Sequence, residues 1–302
     1  MKKKLIALLV AAALAFKYRK SLDATYHEKV RNKLGIPRIS MFLYPYVYRL
    51  GKPVLKLTRF PVMGKVGHVA LDTENSNLSY IPIHEDLELP EGIVAPVSIA
   101  EHFIKQSSYR FKMDYCPCRK ANDCQSFPHD IGCIWIGGST AGINAPPEVG
   151  RLVSVEEAIE HLHRARDAGL VTVLGKFIPD AAALGVFKDH RRFMTMCNCC
   201  SCCCMVKFMR EGRPEYKKIV HRLQGLTMNV DAEKCKGCGE CAEACMFGQI
   251  TVIDQRVHIG ADCKGCAFCA AACPNNAISI RIDDPTFIEE AVNRISGAVD
   301  VT

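Results

Sequence analysis

Eight of the chain's 18 cysteines fall into two copies of one short spacing pattern, and no other feature constrains the fold as strongly. The first copy is Cys235-x2-Cys238-x2-Cys241-x3-Cys245, and the second is Cys263-x2-Cys266-x2-Cys269-x3-Cys273. Disulfides would need the thiols paired two by two in an oxidising compartment, and cysteines this close together in sequence are poorly placed for such pairing. Zinc sites usually draw two cysteine pairs from separated segments. Each run is instead typical of a protein that holds iron and sulfide in clusters.

The two runs resemble the bacterial dicluster ferredoxin family, and the resemblance covers about residues 229–284. In that family three cysteines of a run bind one 4Fe–4S cluster, and the fourth binds the other cluster. The resemblance therefore implies two ligand sets. They are Cys235, Cys238, Cys241 and Cys273 for the first cluster, and Cys263, Cys266, Cys269 and Cys245 for the second. One departure is Met246, where the first run could also have carried a proline, as the second does at Pro274.

The residues around these cysteines predict short loops, helices and strands. Gly237 and Gly265 stand where a tight loop brings backbone N–H groups close to the sulfurs, and glycine reaches such conformations at the least steric cost. The β-branched runs 250–253 and 278–282 predict strands. We therefore expect an α+β fold in which a dicluster ferredoxin-like C-terminal domain joins a small cysteine-rich α/β domain, with an apolar helix at the N-terminus.

Ten further cysteines lie upstream in two groups. The first group is Cys116, Cys118, Cys124 and Cys133, and the second is Cys197, Cys199, Cys200, Cys202, Cys203 and Cys204. Ten thiols suffice for two more cubanes, and the simplest partition gives the first group one cluster and a subset of the second group another. A single cluster shared between the groups is the alternative. On an extended chain, Cys197 and Cys199 would face away from Cys200 and Cys202.

Other chemistry remains open for the upstream cysteines. Cys116, Cys118 and two thiols of the second group could bind zinc, and vicinal thiols could act as a redox sensor or exchange disulfides. His129 could replace a cysteine as a ligand, as imidazole does in Rieske centres. Neighbouring cations would offset the negative charge of thiolate-bound iron. These cations are Arg119, Lys120, Arg191 and Arg192.

From about residue 65 onward the chain is similar to a group of cysteine-rich iron–sulfur proteins of anaerobic bacteria and archaea. The similarity rests on a Cys-x-Cys-Arg segment at 116–119, a Cys-Asn-Cys-Cys-x-Cys-Cys-Cys segment at 197–204 and the C-terminal runs. It implies additional clusters but brings no particular reaction with it.

The middle of the chain, residues 96–228, has a mixed helix and strand pattern. The segments 98–101 and 154–157 both read Ser-x-x-Glu and predict helices that begin with a capping box. Apolar runs at 170–174 and 193–196 predict strands. His161 and His163 lie two residues apart on the second helix, so they occupy different faces, and we expect both to be exposed to solvent.

The N-terminal segment predicts membrane attachment. Residues 2–4 are lysines, residues 5–16 are apolar, and basic residues follow. Twelve helical residues rise about 18 Å, short of the roughly 30 Å hydrocarbon core. We expect a retained anchor, residues 1–20, at the cytoplasmic face of the cell membrane. The alternative is export after cleavage of a signal peptide, which the basic cluster after the apolar run disfavours.

Charge is distributed unevenly along the chain. Residues 1–65 contain 15 Lys and Arg against only Asp23 and Glu28, although the whole chain has a net charge of +7. A basic arm, with aromatic residues in the segment 21–95, suits an anionic membrane surface or a partner protein. Nucleic acid is an unlikely partner because no recognition motif accompanies the charge.

The predicted order of segments is an anchor at 1–20, a basic membrane- or partner-facing segment at 21–95, a cysteine-rich domain at 96–228, a ferredoxin-like domain at 229–284 and a C-terminal helix and tail at 285–302. The sequence lacks a dinucleotide-binding glycine motif, a phosphate loop and a His-Glu-x-x-His motif, so no catalytic side chain can be named. These features predict an electron-transfer subunit of an anaerobic redox complex at the membrane. The alternatives are an oxidoreductase with an unusual cluster at residues 197–204 and a redox sensor.

Overall fold

A computed structural model describes residues 53, 55–60, 63–64, 71, 76–82, 96–282, 284 and 286–302 of the 302-residue chain. The predicted N-terminal helix at 1–20 and most of the basic segment at 21–95 lie outside the described residues. Within the described part of the chain, every helix is too short or too polar to cross a bilayer.

Seven strands form the main sheet. They are β1 (Ser76–Ile81), β2 (Arg110–Met113), β3 (Ile134–Ile136), β4 (Gly150–Leu152), β5 (Val171–Phe177), β6 (Met194–Cys199) and β7 (Val220–His221). Their order is β4-β2-β3-β6-β5-β1-β7, and all neighbours are antiparallel except β1 and β7. The strands predicted at 170–174 and 193–196 are confirmed as β5 and β6, which extend three residues further. Strand β1 comes from the segment 21–95, ahead of the predicted boundary at residue 95.

Helices cover one face of this sheet. They are α1 (Val97–Gln106) and α3 (Val155–Asp167), while the short helices α2 (Pro117–Ala121) and α4 (Ile178–Ala183) lie in connections. Among the described residues, the upstream part also contains 3-10 helices at Gly138–Gly142, Phe187–Arg192, Met205–Glu211 and Pro214–Ile219. Phe103 of α1 and Leu162 of α3 pack with Met194 and Met196 of β6 in one buried core. Because strand side chains alternate between faces, the intervening residues of β6 point to the opposite side of the sheet.

One predicted helix cap is confirmed and the other is wrong. Ser154 precedes α3, and its hydroxyl accepts a hydrogen bond from the Glu157 N–H at 3.2 Å. Ser98, in contrast, lies inside the first turn of α1, because that helix begins directly after Pro96. A capping residue must precede the helix, and the buried Ser98 hydroxyl has no hydrogen-bond partner among the described residues.

The predicted exposure of the two histidines is wrong for His161. Its side chain is only 2% exposed, and its Nε2 lies 3.0 Å from the Gly132 carbonyl oxygen. The cause is packing, since His161 lies next to the buried Leu162 and Ala158 on the sheet-facing side of α3. His163 is partly exposed, and its Nε2 lies 2.8 Å from Glu101 Oε1.

The C-terminal segment contains the expected strands and short helices. Strand β8 (Leu226–Val230) pairs with β11 (Ile278–Ile282), and β9 (Ile250–Ile253) pairs with β10 (Arg256–Ile259), both antiparallel. The helices are α5 (Glu240–Ala244), α6 (Phe268–Ala271) and α7 (Phe287–Ser296). Ile280 and Ile282 of β11 and Phe287 of α7 belong to the same buried core as Phe103 of α1. The C-terminal segment thus packs directly against the upstream part of the chain.

Candidate metal centres

A small cavity in the C-terminal segment brings together cysteines from both runs. Four thiols line it, namely those of Cys235, Cys238, Cys241 and Cys273. The Ala277 N–H donates a hydrogen bond to the Cys273 Sγ at 3.3 Å. Burial raises the pKa of the Cys241 thiol, and the nearby Cys273 and Cys238 thiols raise it further. These are the four residues of the first predicted ligand set.

A second cavity has the same construction. Its cysteines are Cys245, Cys263, Cys266 and Cys269, the second predicted ligand set. The Gln249 N–H donates a hydrogen bond to the Cys245 Sγ at 3.2 Å, four residues after the cysteine, as Ala277 does after Cys273. Burial raises the pKa of the Cys266 thiol to about 12. Cys245 and Cys273, the cysteines that each run contributes to the other run's cavity, therefore accept the same kind of backbone hydrogen bond.

Both cavities fit a 4Fe–4S cluster in their chemistry. Four sulfurs converge on each, and a backbone N–H donor at a sulfur stabilises the thiolate form that binds iron. Gly237 and Gly265 adopt φ values of +64° and +67°, as their positions in the loops predicted. A Cβ atom at Gly237 would stand 2.6 Å from the Gln255 Cα, so a larger residue could not hold this loop in place.

The unexpected Met246 has a packing partner on the main sheet. Its side chain is fully buried, and its Sδ accepts a hydrogen bond from the Tyr80 hydroxyl at 3.7 Å. Tyr80 is also buried and meets the Phe247 ring edge-on, with the centroids 5.7 Å apart. The residue that replaces the possible proline therefore joins the C-terminal segment to β1.

A larger cavity, which we call the inner thiol cavity, lies against β5 and β6 on the face opposite the helices. Its volume is about 60 Å³. Seven cysteines from both upstream groups line it, namely Cys116, Cys118, Cys133, Cys197, Cys199, Cys200 and Cys204. The Sγ atoms of Cys133 and Cys197 are 3.2 Å apart, and those of Cys199 and Cys204 are 3.0 Å apart. As the strand alternation predicted, Cys197 and Cys199 project to the same face.

One acidic side chain lies in the wall of this cavity. The Asp180 carboxylate accepts hydrogen bonds from Thr195 Oγ1 at 3.0 Å and from Trp135 Nε1 at 3.3 Å. Burial raises the pKa of Asp180 to about 6 despite these two bonds. Most of the remaining wall is apolar and includes Leu78 and Val173. No sequence motif signalled Asp180, because its place in the cavity depends on the packing of α4 against the sheet.

Arg119 is the buried cation among the upstream cysteines. Its side chain is fully buried, and its guanidinium donates hydrogen bonds to the carbonyl oxygens of Pro128 at 2.7 Å, Asn198 at 2.9 Å and Ile131. Burial lowers the pKa of Arg119, but the surrounding cysteines more than offset this and raise it. The largest of these effects comes from Cys116, whose own pKa falls to about 6 because of a hydrogen bond with Cys118 and the charge of Arg119.

A second group of thiols, which we call the outer thiol quartet, lies beside this cavity and shares Cys200 with its wall. It consists of Cys124, Cys200, Cys202 and Cys203, whose Sγ atoms all lie within 4.8 Å of one another. Cys202 is exposed, and the other three are buried. The structure therefore does not bring Cys124 together with Cys116, Cys118 and Cys133, as the simplest partition required. His129 places its Nε2 2.8 Å from the Cys124 carbonyl oxygen.

Comparison with known proteins supports the iron–sulfur chemistry. A family model described as a 4Fe-4S binding domain matches residues 227–250, which include the whole first cysteine run. No curated protein and no solved structure matches the chain. The match and the clustered cysteines identify an iron–sulfur protein that binds 4Fe–4S.

Proposed function

We propose that this protein transfers single electrons, with a 4Fe–4S cluster in each C-terminal cavity and a third in the inner thiol cavity. When bound, such clusters accept and release one electron at a time. The observation that carries the proposal is the position of Tyr80. This buried side chain shares one apolar cluster with Cys199 and Cys204 of the inner cavity and with Cys266 of the second C-terminal set. Packed protein therefore connects the two sites.

The exposure of the ligands indicates where an external partner would exchange electrons. Cys238 of the first C-terminal set is exposed, whereas Cys266 and Cys269 of the second set are buried. Tyr80 lies beyond the second set on the side of the inner cavity. Burial raises the pKa of Tyr80, and the thiols of Cys204 and Cys199 raise it further. The route would thus run from the surface near Cys238 through the second site to the inner cavity.

The inner cavity has the groups that a third cluster needs. Seven cysteines line it, and the six that lie outside the outer thiol quartet still exceed the four ligands of a cubane. Arg119 would offset the negative charge of thiolates bound to iron, and its three bonds to backbone carbonyls hold that charge in place. The apolar wall would keep water from the cluster, and both hydrogen bonding and solvent exposure tune the potential of such groups.

Iron and acid-labile sulfide in the anaerobically purified full-length chain test the proposal first. We expect about twelve of each per chain, since three cubanes contain that number. A reductive titration should then consume about three electrons per chain, because each cubane takes up one. About eight irons would confine the clusters to the C-terminal segment and contradict a third site.

A second candidate function is reduction of a small substrate in the inner cavity. Two observations favour it: seven cysteines line the space, and the buried Asp180 could supply a proton. An electron-transfer cluster with four thiolate ligands leaves no iron open to an added ligand. We expect cyanide or carbon monoxide to leave the EPR spectrum of the reduced protein unchanged. A new signal would indicate an open iron site and favour the reductase.

We also propose attachment to the cytoplasmic face of the membrane, as part of an anaerobic redox complex. The support is the basic charge of residues 1–65 and the apolar run at 5–16. The full-length chain should sediment with membranes, and a chain lacking residues 1–20 should lose most of that association. Mass spectrometry of the recovered chain distinguishes export, because loss of the first 15 or so residues would indicate a cleaved signal peptide.

A further inference from the structure

We propose that the outer thiol quartet binds a single zinc ion, separately from every iron–sulfur cluster of the chain. The site would be structural, with four cysteine ligands and no position left for water or substrate. It goes beyond electron transfer, because zinc has no redox chemistry of its own. The inference rests on the spacing, hydrogen bonding and position of four side chains.

The spacing of the four sulfurs suits one ion. Ligands bound to zinc at about 2.3 Å stand about 3.8 Å apart in tetrahedral geometry. The Sγ atoms of Cys124 and Cys202 are 3.6 Å apart, and all four sulfurs lie within 4.8 Å of one another. In a cubane, each thiolate binds a different iron at a separate corner, so the sulfurs must stand farther apart.

The C-terminal sites provide an internal comparison. Among the described residues, the outer thiol quartet is the one group of potential ligands that meets the 4.8 Å limit. The two C-terminal ligand sets are described as well, and neither has all its sulfurs within 4.8 Å of one another. The same chain therefore contains two kinds of cysteine site. The wider kind suits clusters, and the narrow kind suits a single tetrahedral ion.

Backbone donors favour thiolates at the narrow site. The Cys203 N–H donates a hydrogen bond to the Cys200 Sγ at 3.3 Å. The Ser126 N–H likewise acts on the Cys124 sulfur. These are the interactions that a site with four thiolates requires to limit its negative charge.

The position of the quartet indicates what structural effect the ion would have. Cys124 lies in the loop after α2, which contains Cys118 and directly follows Cys116. Cys200 directly follows β6, which contains Cys197 and Cys199. An ion bound here would tie together the two segments that supply the inner thiol cavity. Because the unfolded chain lacks a formed site, the binding free energy would stabilise this local fold.

Zinc content, measured beside iron and sulfide in the anaerobically purified full-length chain, tests the inference. We expect about one zinc per chain. Cys202→Ser should reduce the zinc at least tenfold and leave iron and sulfide unchanged, because Cys202 lies outside the inner cavity and both C-terminal sets. Ser201→Ala is the matched control in the same turn, and it should change none of the three.

Several results would overturn the inference. Zinc that remains in the Cys202→Ser variant would be bound at another site, for example in a C-terminal ligand set that zinc has entered in place of a cluster. Loss of about four irons in that variant would indicate a cubane. If the variant fails to fold, zinc X-ray absorption of the unaltered protein still decides. Four sulfur neighbours at about 2.3 Å from zinc are expected. A protein without zinc, or with a single iron ion and no sulfide at this site, would contradict the proposal.

Discussion

Replacing Cys245 with alanine should remove the second cluster, although Cys245 belongs to the first cysteine run. The expected loss is about four of twelve irons, with an equal loss of sulfide, because one cubane disappears. The reason is geometric. Cys245 lines the cavity of Cys263, Cys266 and Cys269, and the Gln249 N–H orients its sulfur at 3.2 Å. Metal analysis and the EPR spectrum of the reduced protein measure the effect.

Double variants make the assignment sharper. Cys245→Ala combined with Cys263→Ala should lose no more iron than either change alone, because both residues serve one cavity. Cys245→Ala combined with Cys235→Ala should lose about eight irons, since two separate cubanes are removed. If the first double variant lost about eight irons and the second only about four, each run would bind its own cluster. The assignment of Cys245 to the second cluster would then be wrong.

Replacing Arg119 with methionine should have the largest effect of any change outside the cysteines. Three backbone carbonyls lose their donor, and a hydrogen bond to a charged group contributes about 1.5–3 kcal/mol, so the expected destabilisation is roughly 4.5–9 kcal/mol. Arg119→Lys should fail to rescue it, because one ammonium group cannot reproduce the planar fork that reaches Pro128, Ile131 and Asn198.

The measurement is the urea midpoint of unfolding under anaerobic conditions, compared with upstream metal content. Loss of metal makes unfolding of such a protein irreversible, so midpoints are compared at one incubation time. Arg164→Met is the matched control, because Arg164 forms an exposed pair with Asp130 and such pairs contribute little. A lysine variant as stable as the unaltered protein would show that charge alone, and not the hydrogen-bond geometry, is required at position 119.

Local patterns were enough to predict much of the C-terminal segment. The strands β9 and β11, the loop glycines at 237 and 265, and the cap at Ser154 all depend on residues close together in the sequence. The ligand sets followed from spacing and a family resemblance, and the two cavities contain those same eight cysteines. The predicted cap at Ser98 was wrong because the helix already begins at Val97, directly after Pro96.

The upstream site could not be predicted in the same way, because it depends on how distant segments meet. Cys124 follows Cys118 by six residues, yet its sulfur lies with thiols nearly 80 positions later. Spacing alone gave no reason to separate it from Cys116. The sequence around Tyr80 also gave no indication that this residue lies between two cysteine sites, since its position arises from insertion of β1 between β5 and β7. The burial of His161 likewise follows from the face that α3 presents to the sheet.

The shared core of β11, α7 and α1 has a consequence for how this protein would meet its partners. Ile280, Ile282 and Phe287 are buried beside Phe103, so apolar packing joins the C-terminal segment to the upstream part. Domains held by such an interface do not reorient freely. Within the described part of the chain, the C-terminal segment therefore cannot act as a swinging arm that visits a donor and then an acceptor. Under the proposed route, a donor would instead dock at a fixed surface near Cys238, and the rate of electron delivery would be set by that encounter.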